Sequence, residues 1–295
     1  MKSIKQTILS KSGQYNFYKD NYYKLLNENK ELKDKNTELN KTYKKIKELT
    51  ENFNLIKPLV VNDNQDDYDL NYCAICGRVS NFIPAGISNR EKAKCPYCKT
   101  VERHRLLYLI LIKEYGYLLK NPIELLHFAP EAPFYKNFSN MENIDYYPVD
   151  INSDKYARRN TPIRDEVNIE NIPYDNEKFD SIICAHVLEH VTDYMKSMNE
   201  LYRVLKKDGV CFVSVPLSGN YETLENPEYN TPELRLKHYY QEDHLRLFGF
   251  DIKEKLESVG FNVKQYTIDD LINDEKYKEI YGLKSKFNYF VCTKE

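Results

Sequence analysis

Four of the seven cysteines stand as two CxxC pairs, Cys73-Ala-Ile-Cys76 and Cys95-Pro-Tyr-Cys98, with 18 residues between them. That spacing falls in the window of a four-thiolate zinc site. Each CxxC turn sets two thiolates on one side of a tight loop, and Gly77 directly after the first pair suits such a knuckle. Two knuckles close a tetrahedral shell with no position left for water, so the chemistry expected of Cys73, Cys76, Cys95 and Cys98 is structural zinc binding. Redox chemistry at a CxxC pair is the alternative, and two matched pairs argue against it. Cys184, Cys211 and Cys292 lie inside apolar runs and read as core thiols.

A second group of chemistry-bearing residues follows the apolar run Ser181–His186, where His186, Glu189 and His190 fall within five positions. An imidazole beside a carboxylate is the usual equipment of a general base. Of the three, His186 is the stronger candidate for that role, while Glu189 and His190 could equally stabilise a helix start. A third group is the segment 237–249, KHYYQEDHLRLFG, in which His244 and Arg246 are candidates for ligand binding or base catalysis. Directly after the cysteines comes ERHR, residues 102–105. Either it packs the cysteine module against the next domain, or Arg103, His104 or Arg105 reaches the active site.

Positioning these groups falls to three segments. Residues 1–65 are lysine-rich and helical in pattern, with Leu25, Leu32, Leu39, Ile46 and Phe53 recurring every seven residues. Tyr22, Asn29, Asn36, Tyr43 and Thr50 occupy the other seam position, as in a short coiled coil that would form a homodimer or bind a partner; a solvated helix packed on the main domain and a basic tail are the alternatives. An acidic, turn-rich linker leads into the cysteine module, residues 66–100. From 101 to 295, apolar runs alternate with amphipathic stretches. The expected strands are 123–128, 144–151, 181–186, 210–215, 261–267 and 287–293, and the expected helices include 101–119, 193–207 and 251–260. Alternation of this kind implies an α/β, doubly wound, parallel sheet with helices on both faces.

Composition bounds the function. The 295 residues carry a formal charge of −2, with 41% apolar and 30% charged residues, so the strongly basic balance of a nucleic-acid binder is absent. No run of about 18 apolar residues predicts a membrane span. Nor is there a signal-peptide core, so the expected location is cytoplasmic.

Residues 179–216, FDSIICAHVLEHVTDYMKSMNELYRVLKKDGVCFVSVP, resemble the central block of class I S-adenosylmethionine-dependent methyltransferases of the small-molecule, type 11-like kind. The matching parts are Phe179-Asp180, the turn Val187-Leu188-Glu189-His190, and Arg203 to Gly209. The resemblance covers Ile123 to the C-terminus and implies a Rossmann-like methyltransferase fold with S-adenosyl-L-methionine as cofactor. It implies that Asp150, ending the second strand, accepts the ribose hydroxyls. Asn168 and Ile169 stand in the loop that meets the adenine, Asn168 where the family typically has Asp. The family's glycine-rich first loop is replaced by His127-Phe-Ala129-Pro-Glu131. His127, Ala129 and Glu131 are therefore expected at the cofactor, with His186 beside them.

His186, His190 and His244 are the catalytic candidates, and the leading reading is O-methylation of a small molecule or a sugar/glycan precursor. Neither an Asn-Pro-Pro-Tyr-like segment nor a Pro-Cys nucleophile is present to suggest base chemistry. Two readings compete: an RNA methyltransferase gripping its substrate through the zinc ribbon, and a non-catalytic scaffold whose altered first loop no longer holds cofactor.

Overall fold

The computed structural model describes residues 70–86, 89–154, 161–283 and 287–295. The expected coiled coil lies outside the described residues. Leu70–Glu295 forms one compact unit, in which the cysteine module and the α/β body pack together.

The cysteine module consists of two antiparallel hairpins. β1 (Asn71–Cys73) pairs with β2 (Arg78–Ser80), and β3 (Ile83–Ala85) with β4 (Arg90–Lys94). In the first knuckle Gly77 has φ +67° and its N–H donates to Cys73 O at 2.8 Å. In the second, Lys99 takes the same left-handed place at φ +65°, its N–H donating to Cys95 O. A lysine there bears a strain that glycine avoids.

Helix α1 (Glu102–Lys113) follows. It stops earlier than the apolar pattern predicts. The chain passes Gly116 into a 3-10 turn, Gly116–Leu119, before Pro122.

The main sheet has seven strands: β5 (Ile123–Phe128), β6 (Ile144–Asp150), β7 (Asp165–Glu166), β8 (Phe179–Ala185), β9 (Leu205–Ser214), β10 (Asn262–Tyr266) and β11 (Tyr289–Thr293). Their spatial order is β10-β11-β9-β8-β5-β6-β7. β5 to β9 run parallel, while β11 is antiparallel to both its neighbours. The order reverses between β5 and β8, which makes their carboxyl ends the switch point where ligands bind in open α/β sheets.

Helices cover both faces. The strands' side chains alternate, so Leu126, Phe128, Ile182, Cys184, Cys211 and Val213 join one core cluster. Helices α3 (Tyr194–Val204) and α5 (Ile252–Ser258) close that cluster with Leu201, Val204 and Leu256. On the opposite face His127 meets Phe134 and Phe138 of α2 (Ala132–Phe138), and Phe212 meets Tyr115. The three isolated cysteines are all buried in the main sheet, as expected of core thiols.

The helix expected over 193–207 ends at Val204, and β9 begins at Leu205, earlier than predicted. Leu205 is already extended and pairs with Phe179. Asp208 then turns through φ +60° while its N–H donates to Lys294 O, so backbone pairing overrides the helical pattern of Arg203–Lys207.

Two buried arginines hold the loops. The Arg105 guanidinium is fully buried and donates to the carbonyls of Ala93, Thr100, Tyr281 and Gly282. It thus bolts β4 and the second knuckle to the turn after α6 (Glu275–Ile280). The packing there is close: a Cβ on Gly282, at φ +61°, would stand 2.7 Å from the Phe82 ring. Arg246 spends all five of its N–H groups on Glu225 and on the carbonyls of Leu188, Val191 and Thr192. It fastens the 217–250 segment, with α4 (Pro232–Tyr239), over the turn after β8.

Replacing Arg105 by Met would leave four carbonyls without their donor. The expected cost is roughly 3 kcal/mol, a fall in Tm of about 6–12 °C, with Arg105→Lys restoring only part of it because an ammonium lacks the planar fork. Thermal melts followed by circular dichroism would read this, and an unchanged Tm would show that the carbonyls find other partners.

Candidate active site

Parallel pairing lines up the strand ends. Phe128 is in register with Val149 on one side and Cys184 on the other, and Ala185 with Ser214. The next residues along the edge are therefore Asp150, Ala129, Ala185 and Ser214, in that lateral order. At about 4.8 Å per strand, Asp150 and His186 are separated by roughly 10 Å along this edge.

Asp150 ends β6 half-buried, with Oδ1 accepting the N–H of Asn152 at 3.0 Å. Asn168 is exposed and its Oδ1 accepts from Glu170 N, whereas the Ile169 side chain is in the core cluster. Ile169 can therefore serve a ligand through its backbone, but not through its side chain.

At the end of β5, Ala129 adopts φ +51°, the left-handed conformation a glycine would supply, while its N–H donates to Val149 O. The backbone course associated with a glycine-rich turn is thus kept without the glycine. Glu131 caps α2 by position but makes no cap hydrogen bond through its side chain. It is held instead between two imidazoles. His104 Nε2, from α1, lies 3.2 Å from Oε1, and His127 Nε2, from β5, lies 3.4 Å from Oε2. Both are ion-pair contacts rather than aligned hydrogen bonds, since neither Nε2 has an aligned partner.

The tautomers follow from the other ring atoms. His104 Nδ1 accepts the Val101 N–H at 3.0 Å, so in the neutral ring its proton is on Nε2, facing Glu131. Burial disfavours the imidazolium and outweighs the attraction of Glu131, so the His104 pKa lies below its ordinary value of 6.5. For Glu131, burial opposes ionisation, but His104 and then His127 overcome it and hold the carboxyl well below its ordinary 4.5.

His127 is fully buried, with Nδ1 2.8 Å from the Tyr146 hydroxyl and Nε2 on Glu131. Expected at the cofactor, it stands beneath Glu131, its Nε2 in ion-pair contact and without an aligned hydrogen-bond partner. The Tyr289 hydroxyl is buried without a hydrogen-bond partner, and its pKa is raised by burial and then by Glu131.

His186 follows β8 in a left-handed conformation, φ +57°, its N–H donating to Ser214 O at 2.8 Å. Its Nδ1 lies 3.2 Å from Oε1 of Glu189, whose side chain is 1% exposed. The Nε2 of His186 is buried and has no partner. Burial opposes the ionisation of Glu189, but His186 and then His190 lower its pKa overall. His190 packs edge-on against His244 with ring centroids 4.8 Å apart. The His244 pKa is lowered, chiefly by burial. His186 is near enough to depress the ionisation of His104, so the Glu131 and Glu189 clusters adjoin.

The structure thus brings His127, Ala129, Glu131, Asp150, Asn168, His186, His190 and His244 to the carboxyl edge or directly beneath it. Of the ERHR group, His104 reaches this edge. Glu102 instead pairs with Arg90, and Arg105 binds the loops already described. Tyr146 and Tyr289 were not legible as site residues. Neither sits in a motif, and Tyr289 arrives from the last strand.

The four cysteines converge just before α1: Cys73 and Cys98 Sγ are 3.5 Å apart, Cys76 and Cys95 Sγ 3.8 Å, and all four lie within 4.8 Å of one another. A tetrahedron with ~2.3 Å zinc–sulfur bonds has an edge of about 3.8 Å, so the donor set fits the ion.

Residues 123–266 match the family model described as a methyltransferase domain. The matched segment makes residues 123–266 a methyltransferase domain, and the seven-stranded order and edge geometry are those of the class I, S-adenosylmethionine-dependent fold. An uncharacterized protein of Methanocaldococcus jannaschii is 44% identical over 48 residues, 16% of this chain and about a fifth (21%) of that protein's length. Among solved structures, a SAM-dependent methyltransferase from Archaeoglobus fulgidus is 16% identical with a TM-score of 0.44, covering 64% of this chain and 93% of that one. A methyltransferase from Burkholderia thailandensis, solved with 1,6-didemethyltoxoflavin and S-adenosylhomocysteine, is 14% identical with a TM-score of 0.41, covering 61% and 74%.

The cluster around Glu131 makes the fold acid-labile with a defined sign. Both pKa values are depressed in the folded protein, so the unfolded chain binds more protons as pH falls. The stability due to neutral His104 is complete above about 6.5 and is lost as pH falls below it; that due to Glu131 is complete above about 4.5. His104→Asn should therefore lose less Tm than the wild type between pH 7.5 and 5.5. Equal losses in the two proteins would remove His104 from this role.

Proposed function

We propose that the chain transfers the methyl group of S-adenosylmethionine to a hydroxyl of a small molecule or sugar/glycan precursor, with a structural zinc ion in the cysteine module. The observation carrying this reading is the buried, unpartnered Nε2 of His186 at the edge of the sheet, with Glu189 at its Nδ1. With the Glu189 carboxylate 3.2 Å from Nδ1, the tautomer protonated at Nδ1 is favoured, which leaves Nε2 to accept a proton as a general base must. The bound cofactor supplies an electrophilic methyl group on a sulfonium. Asp150 would hold its ribose, Glu131 would face its cationic end, and the backbone around Asn168 and Ile169 would meet the adenine. His186 would take the proton that the acceptor hydroxyl gives up.

The zinc reading draws support from charge as well as distance. Arg105 is a fully buried cation whose hydrogen-bond partners are all carbonyls. A buried charge needs a counter-charge, and four thiolates on one Zn2+ carry a net −2. The rival RNA reading rested on the ERHR group and on the lysine-rich first segment; Glu102, His104 and Arg105 of the former are buried and Arg103 is half-buried, while the latter lies outside the described residues. The three buried side chains offer little to a phosphate backbone.

Titration calorimetry with S-adenosylhomocysteine tests the cofactor site directly. Micromolar binding is expected, weakened at least about tenfold in Asp150→Ala, the loss of one charged hydrogen-bonding group. No binding to the wild-type chain would favour a non-catalytic scaffold. Cys95→Ser should lose zinc and Tm together, and a variant keeping full metal content would contradict the ribbon.

A further inference from the structure

The first turn of α1 holds one cation that the fold does not use. Its neighbours are all engaged: Glu102 with Arg90, His104 with Glu131, and Arg105 with four carbonyls. Arg103 is half-buried, and among the described residues it makes no hydrogen bond or ion pair; its Nε is buried without a partner. A guanidinium is always charged and can only donate. Leaving one of its N–H groups buried and unpaired is costly, and a ligand that brings an acceptor removes that cost.

A second orphan donor stands nearby. Tyr289 opens β11 and is fully buried, and its hydroxyl has no hydrogen-bond partner. β11 is antiparallel to β9 with Phe290 opposite Val213, which sets Tyr289 level with Ser214 at the carboxyl edge. Burial and then Glu131 raise the Tyr289 pKa while Arg103 opposes them, so the hydroxyl keeps its proton and Arg103 lies within electrostatic reach of it. Glu131 is not the acceptor for either group, since its two oxygens face His104 and His127.

The polarity changes further along the edge. His186 Nε2 is also buried without a partner, but with Glu189 at its Nδ1 it accepts rather than donates. His104 adjoins both sides: burial chiefly lowers its pKa, and Arg103 and His186 each add to that effect. Two donors, one of them cationic, thus neighbour one acceptor.

We propose that Arg103 and the Tyr289 hydroxyl bind an oxyanion carried by the methyl acceptor, a carboxylate or a phosphate, while the acceptor's hydroxyl meets His186. That the ligand is the acceptor rests on the O-methylation reading; the oxyanion site does not. A planar guanidinium takes two oxygens of such a group in parallel, which fixes orientation as well as charge. Glu131 has the same sign as this ligand, and the charge on Arg103 offsets the repulsion. Arg103 is then a residue of specificity. A neutral sugar would leave both donors buried and unpaired, the situation by which polar sites reject analogues lacking a group. Within the small-molecule class the substrate narrows to hydroxy acids and phosphorylated sugars.

The test is titration of inorganic phosphate into the full zinc-loaded chain, with and without saturating S-adenosylhomocysteine, followed by calorimetry and by thermal melts. Phosphate should bind the wild type with similar affinity in both conditions and raise its Tm. Its affinity should fall about tenfold or more in Arg103→Gln, the loss of a charged hydrogen bond, and severalfold in Tyr289→Phe, with Arg103→Lys recovering only part. Arg103→Gln removes no contact within the protein, so its Tm without phosphate should match the wild type, and its affinity for S-adenosylhomocysteine should stay within about twofold. No phosphate binding by the wild type, or equal binding by a folded Arg103→Gln chain, would overturn the site. Phosphate displaced by S-adenosylhomocysteine, with weaker S-adenosylhomocysteine binding in Arg103→Gln, would give Arg103 to the cofactor's own carboxylate and equally overturn the proposal. The titration without S-adenosylhomocysteine reads the oxyanion site whether or not the chain binds cofactor, so its failure is distinct from failure of the O-methylation reading, which an acceptor assay with His186→Ala would report.

Discussion

A carboxylate placed at the crossover between the first strand of a parallel sheet and its helix has to be compensated. Glu131 stands there, 20% exposed, with no cap hydrogen bond of its own. Its two imidazole partners come from elements on either side: His127 from inside the sheet, and His104 from a helix that precedes the matched methyltransferase segment. His104 in turn is oriented by Val101 N–H, the residue that joins α1 to the second cysteine knuckle. The cysteine module and the ligand-facing edge therefore share one chain of contacts a few residues long: Cys98, Thr100, Val101, His104, Glu131.

That chain explains why the cysteine module is packed into the body rather than tethered to it. Asn71 bonds Glu279 O and Phe82 N, Arg90 grips Glu102, and Arg105 spans β4, the knuckle and the turn after α6. These contacts are polar, buried and directional. They fix an orientation that apolar packing alone would leave loose. A helix entering the site from outside the sheet must be aimed, and the module aims it.

Much of the fold could be read from the residues because its strands are continuous apolar runs, as strands buried on both faces must be. The block from Phe179 to Pro216 carried the family resemblance, and the CxxC spacing identified the thiol cluster. Boundaries failed where the backbone overrode local pattern: Leu205 opens a strand inside a helical stretch because Phe179 is waiting to pair with it. At the site, residues in one loop were legible and residues assembled across the fold were not. His104 could be singled out as one of four adjacent polar groups, yet nothing local separates it from Arg105, which turns the other way. Tyr289 reaches Glu131's surroundings through the order of the sheet, a fact no local window contains.

The loop at the end of β5 shows how a glycine-rich turn can be replaced. Ala129 keeps the left-handed conformation, at a cost of roughly 1 kcal/mol relative to glycine, and Pro130 gives up a backbone donor. What the loop gains is Glu131, ionised and held by two imidazoles. In the proposed reading the ligand facing this loop carries a sulfonium and an ammonium. A fixed negative charge then supplies, by Coulomb attraction in a partly buried site, what close backbone approach supplies elsewhere. The exchange works only if the carboxylate cannot swing away or neutralise itself. The imidazoles serve both conditions: His104 Nε2 and His127 Nε2 stand against the two oxygens at 3.2 and 3.4 Å and hold the carboxyl well below its ordinary pKa.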